Sequence, residues 1–222
     1  MLLQLRTALQ QAGKMSDGSF PKLEANILVI GAAKVGKSAL TVRFLTRRFI
    51  GEYGDIESIY THRMMMAGRE ASFSIWDSVY PQVAGFRGQA EEKQLRWADG
   101  FVVVYSICDR ASFQVARQQL QRIQQLTRKN GARRVPVIVV GNKRDLQHRR
   151  AISSEEGRLL ALSAGAGFFE VSAAETYHGA LAVFHELLDL VRDSRRATRK
   201  TAGLRGLVRS LSAAVFGKRR TE

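Results

Sequence analysis

The stretch GAAKVGKS, Gly31–Ser38, determines the fold that we expect for this chain. It matches G-x-x-x-x-G-K-[ST], the pattern of a phosphate-binding P-loop. The apolar run ILVI precedes it and predicts a buried strand, and the residues from Lys37 to about Thr46 have the pattern of a helix. Because the motif lies between a strand and a helix, a chance turn rich in Gly and Lys is the less favoured interpretation.

Each part of this loop supplies a group that can bind phosphate or the metal ion that accompanies it. Gly31 and Gly36 allow tight turns that bring backbone N–H groups against phosphate oxygens, and the helix adds its positive N-terminal end. Lys37 can reach the β- and γ-phosphates as a point charge, which makes it a candidate catalytic residue, and Ser38 offers a hydroxyl to Mg²⁺. The candidate phosphate-binding residues are Gly31, Ala32, Ala33, Lys34, Val35, Gly36, Lys37, Ser38 and Ala39.

A carboxylate further along the chain is a second candidate ligand for Mg²⁺. Asp77 follows the predicted strand ASFSIW, and a carboxylate there would hold the metal directly or through water. The alternative is an ordinary aspartate at the end of a strand.

A second motif, NKRD at Asn142–Asp145, follows the apolar run VIVV and is suited to reading a guanine edge. The Asp145 carboxylate can accept from the N1 and N2 donors of guanine, a donor pair that adenine lacks. Asn142 can bond the base and tie its loop to the P-loop, and the stem of Lys143 can cover the base face. With the P-loop, this motif predicts a protein that binds guanine nucleotides.

Two other segments complete the predicted base site. EVSAA at Glu170–Ala174 provides Ser172 to brace Asp145 and a backbone N–H at Ala173 for the guanine O6, with Ala174 beside it. Phe49 either stacks on the base or is an ordinary core aromatic.

Strand and helix patterns alternate along the chain and predict an α/β fold. Near-continuous apolar strands of this kind form a mostly parallel sheet, here of six strands, with helices on both faces. Because ligands bind at the carboxyl ends of such strands, the loops that follow them should share one rim. The predicted strands are Asn26–Ile30, Tyr60–Met66, Ala71–Trp76, Phe101–Ile107, Val135–Val140 and Phe168–Val171. The predicted helices include Lys37–Thr46, Ser112–Lys129, Ser154–Ala164, with Ser153 or Ser154 as its cap, and Tyr177–Val191.

Length, composition and charge favour one domain with two tails. We expect an N-terminal extension without order at 1–25, a nucleotide-binding domain at 26–192 and a basic tail, partly an amphipathic helix, at 193–222. The net charge is +15, and residues 192–222 contain ten Lys/Arg against two Asp/Glu. Such a tail is a solvated arm, a contact with an anionic membrane or acidic partner, or a segment that packs back on the domain.

The remaining features indicate a cytoplasmic monomer, with entry into the nucleus left open. The single cysteine, Cys108, allows no internal disulfide, which fits a reducing compartment. The C-terminal GKRRTE has no cysteine and position 2 is not glycine, so we expect no lipid anchor. We also expect no specific binding of nucleic acid.

Residues 24–192, with these motifs in order, resemble the Ras superfamily of small GTPases. The segments that carry the resemblance are Gly36–Tyr53, Glu57–Tyr60, Trp97–Phe113, Val140–Leu146 and Val215–Arg220. The resemblance implies a Ras-like P-loop NTPase fold that binds GTP or GDP with Mg²⁺. It also implies switch loops that respond to the γ-phosphate, and an effector or regulator protein that binds through Tyr53–Tyr60.

The chain departs from the family pattern where the family performs hydrolysis. Ala33 replaces a glycine and crowds the space for an incoming arginine and the attacking water. The segment YGDIESIY at Tyr53–Tyr60 lacks the usual threonine, and Asp55 is a weak substitute as a metal ligand. Where the family has D-x-x-G-Q, this chain has Asp77-Ser78-Val79-Tyr80-Pro81, and Gln82 follows one place late as a doubtful catalytic residue.

These departures predict slow GTP hydrolysis, because phosphoryl transfer depends on a positioned water and on stabilised charge. The alternative is a non-catalytic adaptor that uses Tyr53–Tyr60 as its partner surface. A P-loop ATPase or kinase is a third hypothesis, which the NKRD motif and the SAA segment disfavour.

Overall fold

A computed structural model describes residues 23–53, 57–66, 68–78, 89–129 and 135–216, and its strands form a single six-stranded sheet. The strands are β1 Leu23–Gly31, β2 Ser58–Met66, β3 Arg69–Asp77, β4 Gly100–Ser106, β5 Val137–Asn142 and β6 Gly167–Glu170. Their order is β2-β3-β1-β4-β5-β6, with β2 antiparallel to β3 and the other neighbours parallel. The predicted fold class is therefore confirmed.

Helices connect the strands and cover both faces of the sheet. The α-helices are α1 Lys37–Thr46, α2 Gln89–Trp97, α3 Arg110–Lys129, α4 Ser154–Ala164 and α5 Tyr177–Phe216, and a 3₁₀ helix covers Arg144–Arg149. Most predicted bounds lie within two residues of these. β1 begins three residues earlier than predicted, at Leu23, because it pairs with β3 from Leu23 opposite Ala71 to Val29 opposite Asp77.

The last helix is much longer than the predicted Tyr177–Val191. It continues to Phe216, 40 residues in all. As far as Arg195 it stays in contact with the domain, because Arg195 forms an ion pair with Asp99 (2.8 Å) and also donates to the carbonyl of Glu24. Among the described residues, no helix combines the length and the apolar character that crossing a membrane requires.

Two apolar clusters form the core, one on each face of the sheet. All seven residues of β4 are buried, and successive side chains point to opposite faces. Val102 and Val104 therefore belong to the cluster under α1 and α5, where Phe44 and Phe184 stack at 4.3 Å. The other cluster, under α3 and α4, includes Tyr105 and its neighbours. These two layers hold the sheet, and with it the loops at its carboxyl edge.

Helix α4 begins with one of the two caps that the sequence predicts. Ser153 is the N-cap, and its hydroxyl accepts from the Glu156 N–H while the Glu156 carboxylate accepts from the Ser153 N–H. This reciprocal arrangement is a capping box, which satisfies two backbone donors at the start of the helix.

Candidate functional site

An open cleft lies at the carboxyl edge of the sheet, where the predicted phosphate and base loops meet. Its volume is about 410 Å³, within the range of sites for small molecules. Ten of the predicted nucleotide-binding residues line it, namely Lys34, Gly36, Ala39, Phe49, Asn142, Lys143, Asp145, Ser172, Ala173 and Ala174. The fold thus brings together four segments of the chain, and the outermost of these residues, Lys34 and Ala174, are 140 positions apart in the sequence.

The P-loop has a shape that only its glycines permit. Gly36 has a φ of 94°, and a Cβ atom there would lie 2.4 Å from Nδ2 of Asn142. A Cβ atom on Gly31 would lie 2.2 Å from the backbone oxygen of Val104 on the neighbouring strand. Both glycines are therefore required by close approach to the sheet and to the NKRD loop, in addition to their conformation.

Asn142 joins all three motif segments and is 2% exposed. Its Nδ2 donates to the carbonyl of Val35 in the P-loop at 2.9 Å, and its Oδ1 accepts from the N–H of Ala173 at 3.2 Å. The first contact is the one that the sequence predicted. The second differs from the expectation that the Ala173 N–H is reserved for guanine O6, because the structure gives that donor a protein acceptor.

Ser172 fixes the carboxylate that is proposed to read the base. Its Oγ donates to Oδ1 of Asp145 at 2.6 Å and accepts from the N–H groups of Ala174 and Glu175, each at 3.2 Å. Asp145 itself is exposed and lines the cleft. The geometry leaves a braced carboxylate acceptor, which suits a ligand edge that presents hydrogen-bond donors.

Lys37 lies folded back on its own loop. It is 8% exposed, and its Nζ donates to the carbonyls of Gly31 (3.1 Å) and Ala32 (2.8 Å). These contacts hold the ammonium group within the arc of the P-loop, where it would meet an anion bound by the loop's N–H groups. Ala33 is exposed at the tip of the same loop, and Val35 is fully buried, so Val35 contributes only its backbone there.

Asp77 and Ser38 form a small polar site beneath the P-loop. Asp77 is 3% exposed, and its Oδ1 is buried without a hydrogen-bond partner among the described residues. Burial raises the pKa of this carboxyl group, and a hydrogen bond with Ser38 and the charge of Lys37 oppose that rise. A buried carboxylate oxygen without a partner, next to a hydroxyl, is the donor set that suits Mg²⁺.

The other predicted site residues fall in two groups. Phe49 is 43% exposed and lines the cleft with its ring centroid 6.3 Å from that of Tyr53, which excludes an ordinary core aromatic. Asp55 and Gln82 lie outside the described residues. The sequence reasoning missed Gly51, Tyr53 and Leu146 as lining residues, although the first two follow Phe49 closely and Leu146 follows Asp145.

Comparison with known proteins shows which family this chain resembles. The model of the Ras family matches residues 26–193. The chain is 40% identical over 206 residues to the Ras-related and estrogen-regulated growth inhibitor-like protein of Bos taurus, covering 89% of this chain and 98% of that protein. It is 38% identical over 179 residues to the Ras-related and estrogen-regulated growth inhibitor of Homo sapiens (80% and 86% coverage). It is 37% identical over 171 residues to Ras-like protein family member 11B of Danio rerio (75% and 69%).

Proposed function

The chain belongs to the Ras family of small GTPases, and on that premise we propose that it binds GDP and GTP with Mg²⁺ in this cleft and hydrolyses GTP slowly. The observation that best supports the proposal is the position of Asn142, which bonds both the P-loop and the SAA segment. Through it, the phosphate loop and the Ser172–Asp145 pair are parts of one rigid site.

Each group has a role in this proposal. The P-loop N–H groups and Lys37 bind the phosphates, Asp145 accepts from the guanine edge, and Phe49 and Lys143 lie on the base. Ser38 and Asp77 would hold Mg²⁺, which supplies charge neutralisation at the β- and γ-phosphates when it is bound. Lys37 is the one described residue that we assign to stabilising charge on the transferred phosphoryl group.

Slow hydrolysis is proposed because groups that position water and charge are absent from the sequence. Pro81 stands where the family has a glutamine, Ala33 stands where it has a glycine, and Tyr53–Tyr60 contains no threonine. An arginine supplied in trans is worth about 10³–10⁵ in rate, and Ala33 crowds its place. Binding should survive better than catalysis, because the base and β-phosphate contacts involve other residues.

The second candidate is a non-catalytic adaptor that binds partners through Tyr53–Tyr60. The same absent residues favour it, because they would also weaken the response of the switch loops to the γ-phosphate. The basic tail is proposed to add an electrostatic contact with an anionic membrane or an acidic partner. In both candidates the described domain has the same nucleotide cleft.

Single-turnover hydrolysis separates the two candidates. Protein loaded with radiolabelled GTP and freed of excess nucleotide should release phosphate slowly, and only in the presence of Mg²⁺. Lys37→Ala is the control for contaminating phosphatase, since it should fail to retain GTP. Loaded protein that releases no phosphate above this control would support the adaptor. A failure to retain GTP at all, or ATP that competes equally with GTP, would contradict the proposed function itself.

A further inference from the structure

A polar contact outside the nucleotide cleft joins two segments that are far apart in the sequence. One oxygen of Glu57, Oε1, accepts from the indole Nε1 of Trp76 at 2.6 Å and from Nε2 of Gln94, also at 2.6 Å. Glu57 directly precedes β2, Trp76 is the penultimate residue of β3, and Gln94 is in α2. The separations along the chain are 19 and 37 residues, so neither bond is a local one.

Packing reinforces the same contact. Trp97, three residues after Gln94 and hence on the same side of α2, meets the ring of Trp76 edge to face, with centroids 5.2 Å apart. Trp97 is held in turn, because its carbonyl accepts from Nδ2 of Asn26 in β1 at 3.2 Å. Helix α2 is thus attached to the sheet through Trp76, and Glu57 is attached to both.

The contact of Glu57 with Trp76 and Gln94 lies next to the proposed metal site. Asp77 follows Trp76, its side chain lies on the opposite face of the strand, and its backbone is paired with Ser58, the residue after Glu57. Glu57 lies within Tyr53–Tyr60, the segment that corresponds to one family switch, and α2 follows Asp77–Gln82, the segment that corresponds to the other. In this chain both segments lack the residues that would tie them to a γ-phosphate.

We propose that Glu57 acts as a latch: because its carboxylate bonds both Trp76 and Gln94, the start of β2 and helix α2 become ordered or disordered together. This coupling uses the protein's own side chains and needs no bound γ-phosphate. A partner that binds at Tyr53–Tyr60 would thereby change the order of α2, and a partner that binds α2 would change the order of the Glu57 segment. The latch needs only Glu57, Trp76 and Gln94, so it is independent of the proposed hydrolysis.

Hydrogen–deuterium exchange of the full-length protein tests the latch, both as purified and after removal of nucleotide with EDTA. Glu57→Ala should raise exchange about threefold to tenfold in two separate regions, residues 58–60 and residues 93–97, because both hydrogen bonds to Glu57 are exposed to solvent and a typical intramolecular hydrogen bond contributes about that much. Glu57→Gln keeps an acceptor oxygen and should retain most of the protection. Glu52→Ala removes an exposed carboxylate five residues earlier and should change neither region.

The double variant Glu57→Ala/Gln94→Ala provides the sharpest result. If both side chains act through one contact, exchange in the double variant should equal that of Glu57→Ala alone. An increase confined to residues 58–60 with α2 unchanged, or equal effects of Glu57→Ala and Glu52→Ala, would overturn the proposal. These results do not depend on nucleotide binding, so a failed latch and a failed GTPase assignment are distinguishable.

Discussion

Ser172 donates a hydrogen bond of 2.6 Å from its Oγ to Oδ1 of Asp145, 27 residues earlier in the chain. The serine accepts from two backbone N–H groups of its own turn, so its hydroxyl proton is directed at the carboxylate. This hydrogen bond fixes the direction of the exposed Asp145 carboxylate. Recognition of a base edge requires an acceptor that is held in this way.

Asp145→Asn should change the base that the protein prefers. An amide donates where the carboxylate accepted, so the variant should lose affinity for GDP by about 10²-fold or more and gain affinity for xanthosine diphosphate. Competition against a fluorescent GDP analogue measures both. Unchanged preference for guanine would mean that Asp145 does not read the base.

Ser172→Ala should weaken binding without changing the preferred base. Removing a hydrogen bond to a charged group costs about 1.5–3 kcal/mol, or roughly tenfold to a hundredfold in the Kd for GDP, and the carboxylate remains present. Ser163→Ala is a suitable control, because among the described residues the hydroxyl of that serine bonds within its own helix, to the carbonyl of Leu160. Equal effects of the two substitutions would argue against a role for Ser172 in binding.

Asp77→Asn should have opposite effects on stability and on metal-dependent binding. Without Mg²⁺ one oxygen of the buried carboxylate has no hydrogen-bond partner among the described residues, so a neutral amide of similar shape should raise the melting temperature of the protein in EDTA. With Mg²⁺, the variant should lose about tenfold or more in affinity for GDP, since a metal ligand is gone. Thermal denaturation and GDP titration, each with and without Mg²⁺, measure the two effects; a melting temperature that falls in EDTA would contradict the assignment.

Gly157→Ala should destabilise the fold even though alanine favours helices. A Cβ atom there would lie 2.4 Å from the hydroxyl oxygen of Tyr105 and 2.6 Å from the ring of Phe168. Overpacking of this kind costs about 1–3 kcal/mol, against at most about 1 kcal/mol gained from helix propensity. Urea denaturation should show the loss.

Tyr105→Phe is the matching test on the other side of that contact. The Tyr105 hydroxyl is buried without a hydrogen-bond partner in the described part of the chain, and burial raises the pKa of its phenol. Removing it should leave stability unchanged or higher, and should partly rescue Gly157→Ala in the double variant. No rescue would show that the clash with Phe168 alone sets the cost.

The Glu156 carboxylate should make part of the stability depend on pH. A hydrogen bond from Arg110, with others from Ser153, lowers its pKa from 4.5 to about 2. Because the folded value is the lower one, the stabilisation is present above pH 4.5 and is lost as the pH falls towards 2. The difference in melting temperature between wild type and Glu156→Gln should therefore shrink over that range. Glu155→Gln, with the same loss of charge in the same turn, should show a smaller difference, and identical behaviour would contradict the account.

The motifs can be recognised in the sequence because each is a local pattern of a few residues. A P-loop is recognisable when an apolar run precedes GAAKVGKS and a helix follows, and parallel strands then place NKRD and SAA on the same rim. The N-cap of α4 is equally local, and the sequence narrows it to Ser153 or Ser154, of which the structure shows Ser153.

Two contacts between distant residues, Ser172 with Asp145 and Asn142 with the P-loop, could be predicted because they belong to the motifs, but the other distant contacts could not. The acceptor that the Ala173 N–H finds in Asn142, and the shared bond of Trp76 and Gln94 to Glu57, depend on how three elements pack. The contact that joins α5 to the domain past Val191 is the ion pair of Arg195 with Asp99, which lies 96 residues earlier. The periodicity of apolar residues predicts helices and strands, but it cannot predict these pairings, because each involves a single residue on each element.

Chromatography of the nucleotide released when freshly purified protein is denatured tests both nucleotide binding and slow hydrolysis. The account predicts about one guanine nucleotide per protein chain, mostly GDP, because binding is retained and hydrolysis is slow but complete during purification. Mostly GTP would contradict the slow hydrolysis and favour the adaptor. Protein that releases no guanine nucleotide, and that takes up none when GDP and Mg²⁺ are supplied, would contradict the nucleotide site itself.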